Sequence, residues 1–121
     1  MTKRFNVVSY FFILFILISF FSLNLMPSRV SAAEEEEIKI TIKDGKFDPQ
    51  EVKVKSGKKI KLIVTNSDKS AAEFESVDLD REKVVRPGQS VTILLPKLEP
   101  GTYDFFDHFH PNTPHGKIIV E

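Results

Sequence analysis

Apolar and polar residues alternate here at a period of two, in short runs closed by Gly, Pro, Asn or Asp, and this pattern leaves few folds open. Ile38, Ile40 and Ile42 alternate with Lys39, Thr41 and Lys43 until Asp44-Gly45. Phe47 stands before Asp48-Pro49, and Val52 and Val54 alternate with lysines until Ser56-Gly57. Ile60, Leu62 and Val64 follow, closed by Asn66-Ser67-Asp68. Further runs occupy Glu73 to Ser76, Val77 to Val85, Val91 to Leu95, Tyr103 to Phe106 and Lys117 to Val120. A period of two sends one set of side chains to a core and the other to solvent. No segment keeps the i, i+3, i+4, i+7 spacing of a helix over a useful length. The chain is therefore expected to be all-β, an antiparallel Greek-key β-sandwich of about seven to eight strands.

Ahead of the strands, Lys3 and Arg4 precede an apolar run from Val7 to Met26, and Pro27 leads on to Val30-Ser31-Ala32. A positive start, an apolar middle and a small-x-small end are the parts of a secretory leader. Residues 1–32 are thus expected to be a signal peptide, and the protein to act in the periplasm or at an extracellular surface. The run, twenty residues long, would also span a bilayer, so an N-terminal membrane anchor is the alternative. Residues 33–37 read as a solvated acidic tether and 38–121 as one folded domain with a modest core.

Loss of the leader removes Lys3, Arg4 and Arg29, leaving fourteen basic against seventeen acidic residues, a net charge of −3. That sign argues against a nucleic-acid partner. There is no cysteine, and the two methionines are Met1 and Met26, so the expected domain holds no sulfur. Disulfides, thiolate nucleophiles and soft Cu(I) donors are excluded.

Chemistry is concentrated between Tyr103 and Gly116, where His108, His110 and His115 fall within eight residues beside Asp107, Pro111 and Pro114. Imidazole nitrogen and carboxylate oxygen suit Cu(II), Zn(II) and Fe, and a proline-stiffened loop loses little entropy in closing on an ion. No serine-centred arrangement or Gly-rich phosphate loop accompanies it, so the chain is not read as an enzyme.

Phe47-x-Pro49, Gly57, Asn66, Pro87-Gly88, Gly101-Thr-Tyr103 and the loop ending at Gly116 fall in the order of a cupredoxin domain, which the chain resembles over the whole of 38–121. Glu73-Phe74-Glu75-Ser76 and Phe109-His110-Pro111 make it most similar to exported cupredoxin-like domains associated with iron-permease uptake systems. The resemblance puts Asp107 where such domains carry a cysteine, His110 at their loop histidine and His115 near their methionine. Glu73, or Glu75 in its place, stands for the upstream histidine, one of the two being expected to face the site. His108 is the alternative to Asp107. A blue-copper centre needs a copper–thiolate bond and is excluded. The function implied is capture and hand-over of Cu(II), with iron or zinc as alternatives, by a monomer whose partner is a membrane metal permease or its accessory protein. The competing reading is a metal-free sandwich that docks a membrane partner through its aromatic loop.

Overall fold

The computed structural model describes residues 35–121, and every regular element among them is a strand. In chain order these are β1 (Glu35–Lys43), β2 (Lys46–Asp48), β3 (Glu51–Val54), β4 (Lys59–Asn66), β5 (Ala72–Ser76), β6 (Arg81–Val85), β7 (Ser90–Leu95), β8 (Gly101–Asp107) and β9 (Gly116–Val120). One sheet has the order β2-β1-β4-β7 and the other β3-β9-β8-β5-β6. The expected signal peptide lies outside the described residues.

Alternation builds the core as expected. Ile38, Ile40 and Ile42 of β1, Ile60, Leu62 and Val64 of β4, and Ile93 and Leu95 of β7 are buried from one sheet. Val54, Phe74, Val85, Phe105, Ile118 and Val120 are buried from the other. Phe105 is the hub, meeting Phe47 edge-on at 4.9 Å and stacking on Phe74 at 5.1 Å between ring centroids. Such pairs add roughly 0.5–1.5 kcal/mol each beyond the area they bury.

Three features differ from the sequence reading. Lys46–Asp48 forms a strand of its own, which brings the strands among the described residues to nine. The sandwich is mixed, because β1 pairs with β4 and β3 with β9 in parallel. Period-two patterning fixes which face is buried but carries nothing about the direction of a neighbour. Finally, Glu35–Glu37 belong to β1, in register with Lys59, Ile60 and Lys61, and are not a tether. The Glu37 carboxylate lies 3.7 Å from both Lys39 and Lys61, so facing lysines offset the charge of the run.

The end of the sandwich that carries the histidine loop is organised by Asn66, which is fully buried. Its amide donates to the carbonyls of Ser70 and Val85 at 2.8 and 3.0 Å, and its oxygen accepts from the Asp68 N–H at 2.9 Å. Asp68 in turn accepts from the backbone of Asp44 and Gly45. The β1–β2 turn, the β4–β5 loop and the end of β6 are thereby tied together.

Candidate metal centre

Strand β8 delivers its last residues to both sides of its sheet. Phe105 and Asp107 point inward, Asp107 opposite the core residue Phe74, whereas Phe106 points outward opposite Glu75. Asp107 is only 2% exposed. One of its oxygens accepts from the backbone N–H of Glu73 on β5 and of Phe109 in the loop, both at 3.0 Å. Its other oxygen meets Nδ1 of His110 at 2.8 Å. Asp107 is therefore the turn-former that clamps the loop onto β5 and orients His110.

Each of the other histidines has its own carboxylate. Nδ1 of His108 lies 2.7 Å from Glu75, and Nδ1 of His115 lies 2.7 Å from Asp104. An ionised carboxylate only accepts hydrogen bonds, so a neutral ring bonded to it carries its proton on Nδ1 and leaves the Nε2 lone pair free. This carboxylate–imidazole arrangement is the one that orients histidines for metal ligation. Nε2 of His110 faces Ser70 Oγ at 3.5 Å, and its side chain is 39% exposed.

The four ligands expected from the sequence are not gathered at one point. Among the described residues no three His, Asp or Glu side chains are placed to hold one ion. His110 sits with Asp107, while His115 stacks on Phe106 at 5.1 Å on the outer face of the sheet. Glu73 and Glu75 share a face, contrary to the expectation that one would turn away, since residues i and i+2 of a strand always do. Phe74 between them fills the core. Glu75 lies directly opposite Glu82 of β6 in the antiparallel register. Glu73 is buried, and its carboxyl is held above its ordinary pKa, first by a hydrogen bond with Glu82, then by desolvation and the Glu82 charge; His108 opposes the shift and Glu75 adds to it.

Sequence reasoning missed Asp104, Ser70 and Glu82. Asp104 shares the parity of Phe106 and so its outward face, but its pairing with His115 follows only from the β8–β9 register. Ser70 reaches His110 because Asn66 holds its carbonyl. Phe105 lies in the core with Tyr103 packed against it, and the Tyr103 hydroxyl donates to the Glu99 carbonyl at 2.8 Å.

Fold and loop together define a β-sandwich that presents imidazoles where its β8–β9 loop closes over one end. The model of the cupredoxin-like domain family matches residues 11–120. The chain belongs to that family. It is 52% identical over 84 residues to an uncharacterized protein, RP394, of Rickettsia prowazekii (strain Madrid E), covering 69% of this chain and 67% of that one. Among solved structures, auracyanin A, a blue copper protein from Chloroflexus aurantiacus, superposes with a TM-score of 0.63 at 15% identity, covering 73% of this chain and all of that one. The metal-binding domain of the Cu(I)-exporting ATPase CopA of Streptococcus pneumoniae D39 gives 0.62 at 13% identity over 72% of this chain and 86% of that one. A purple cupredoxin from Nitrosopumilus maritimus gives 0.54 at 19% identity over 69% and 98%. At these identities the likeness is one of fold.

Proposed function

We propose that the protein captures and hands over a metal ion, Cu(II) in the first place, with His110 as the principal ligand. The observation that carries this reading is the anchoring of all three histidines through Nδ1 by separate carboxylates, which leaves three Nε2 donors on one short loop. The donors are nitrogen and oxygen without sulfur, a set that suits Cu(II), Fe(III) or Zn(II) and disfavours Cu(I). Transport of electrons, which needs both copper states held in nearly one geometry, is the less suited role. The leader and the Phe109-His110-Pro111 and Glu73-Phe74-Glu75 segments support an exported monomer, not an enzyme, working beside an iron-permease uptake system. Phe109, 46% exposed next to His110, favours a docking contact for that transfer. It is equally what the metal-free docking reading would use.

Calorimetry with Cu(II) separates the two. One site is expected, weakening as pH falls through about 6–7, where protons compete for imidazole nitrogen. His110→Ala should lose at least tenfold in affinity with the circular dichroism of the fold unchanged. Equal binding by parent and variant would remove His110 from the site, and no binding by the parent would leave the docking reading standing.

A further inference from the structure

Ser70 lies forty residues before His110 in the chain, yet its Oγ stands 3.5 Å from Nε2 of that ring. On the other side of the ring, Nδ1 meets the Asp107 carboxylate at 2.8 Å. A hydroxyl, an imidazole and a carboxylate thus follow one another in space, the order of a nucleophile, its base and the group that orients the base. Such a constellation is recognised by geometry, and no local run of residues spells it.

Each member is held for its part. Asp107 is 2% exposed, and one of its oxygens is tied down by the N–H groups of Glu73 and Phe109, so the other keeps its place on the ring. The His110 carbonyl accepts from the N–H and the hydroxyl of Thr113, at 3.0 and 2.7 Å, which fixes the backbone that carries the imidazole. Asn66 places Ser70 from the opposite loop, its amide donating to the Ser70 carbonyl at 2.8 Å. Ser70 itself is exposed, open to a molecule arriving from solvent. The 3.5 Å separation is longer than the about 2.6–3.2 Å of a formed nucleophile–base bond, the looseness usual before a substrate binds.

We infer that Ser70 is an acyl-acceptor site, a hydroxyl that His110 and Asp107 make nucleophilic toward activated acyl esters. Its Oγ bonds to the ester carbonyl carbon while its proton passes to Nε2 of His110, and Asp107 steadies the resulting imidazolium through Nδ1. The bond from that carbon to the leaving oxygen then breaks, and the leaving alkoxide takes the proton back from Nε2. No oxidant or further reactant enters. The product is an ester of Ser70, one per chain, which persists because a serine alkoxide leaves far less readily than the activated group it replaced. His110 handles the proton, and Asp107 is a positioning residue. The site stands independently of the copper reading but shares its nitrogen, so an ion on Nε2 and acylation of Ser70 exclude each other.

The test treats the purified full chain, freed of metal by a chelator that is then removed, with p-nitrophenyl acetate and separately with a fluorophosphonate, which forms an Oγ–P bond as fluoride leaves. Mass spectrometry maps the label. One label per chain is expected on Ser70, at a rate at least tenfold above those of the exposed serines Ser56 and Ser67. Ser70→Ala should abolish it, and His110→Ala should slow it at least tenfold. Asp107→Asn leaves the ring proton on Nε2, so it should slow labelling about as far while denaturant unfolding stays near that of the parent, a split that a merely structural role would not give. Saturating Cu(II) should protect Ser70 from both reagents. No label on Ser70, label spread evenly over the exposed serines, or equal labelling of Ser70 in the parent, His110→Ala and Asp107→Asn overturns the site. His110-dependent labelling in a protein that binds no Cu(II), or labelling that persists under bound Cu(II), overturns the copper reading at His110 and leaves the serine site in place.

Discussion

At the scale of single residues, Asp107 joins structure to chemistry more directly than any histidine. Its carboxylate holds two backbone N–H groups and one imidazole from a position almost closed to water. Asp107→Ala strands the Glu73 N–H inside the sandwich and frees the loop. It should lower stability by about 2–4 kcal/mol, since a buried donor without an acceptor forfeits its full desolvation penalty. Asp107→Asn separates the two roles. The Asn oxygen can still accept both N–H groups, so denaturant unfolding should shift by about 1 kcal/mol or less. Its NH2, however, must donate to Nδ1 of His110, which forces the ring proton onto Nε2 and blocks the lone pair a metal needs. Cu(II) affinity of the Asn variant should therefore fall nearly as far as that of His110→Ala. An Asn variant as stable as expected that binds Cu(II) like the parent would show that His110 does not ligate through Nε2.

At the scale of elements, the β8–β9 connection is held by the meeting of Gly116 with Phe105. A Cβ on Gly116 would overlap the Phe105 ring and press tightly on the Gln50 carbonyl oxygen at 3.0 Å. The fully buried ring, stacked on Phe74, has no room to yield. Gly116→Ala should cost about 3 kcal/mol or more by overpacking, a drop of roughly 10–20 °C in melting temperature for a domain of this size. A variant melting within about 2 °C of the parent would mean the ring can move aside. The elements themselves were legible, because Ile38-x-Ile40-x-Ile42 and Ile60-x-Leu62-x-Val64 name the buried face without help. Their partners were not. That Glu35–Glu37 continue β1 depends on Lys59–Lys61 of β4 lying alongside in parallel, a pairing no local run of residues encodes. The site was legible as a composition, His and Asp on a stiff loop, and its geometry was not. Whether His115 meets Asp104 or Asp107 is decided by β8–β9 register, and which residue of β6 stands opposite Glu75 by β5–β6 register.

At the scale of the whole molecule, the acidic outer face should leave its mark on stability against pH. The Glu73 carboxyl is raised above its ordinary pKa by its hydrogen bond with Glu82, then by burial, then by the charges of Glu82 and Glu75, with His108 acting the other way. A raised carboxyl holds its proton more tightly folded than unfolded. Its favourable contribution is therefore complete below the unfolded value, about 4.3, and is lost as pH rises through the raised range, opposite in sign to a salt-bridged carboxylate. Lys83 and Arg86 line the same open depression as Glu73 and Glu82, but among the described residues neither pairs with these carboxylates, and His108 offsets the shift only in part, so near pH 7 the fold carries a net repulsion there. Glu73→Gln removes it while keeping the side chain's shape. The variant should melt above the parent at pH 7 and close to it near pH 4, measured by calorimetry on chelator-treated protein in one buffer series. If the variant melts below the parent at pH 7 without added ion, the Glu73 carboxylate is held by a favourable contact and the repulsion inferred between it and Glu82 is wrong.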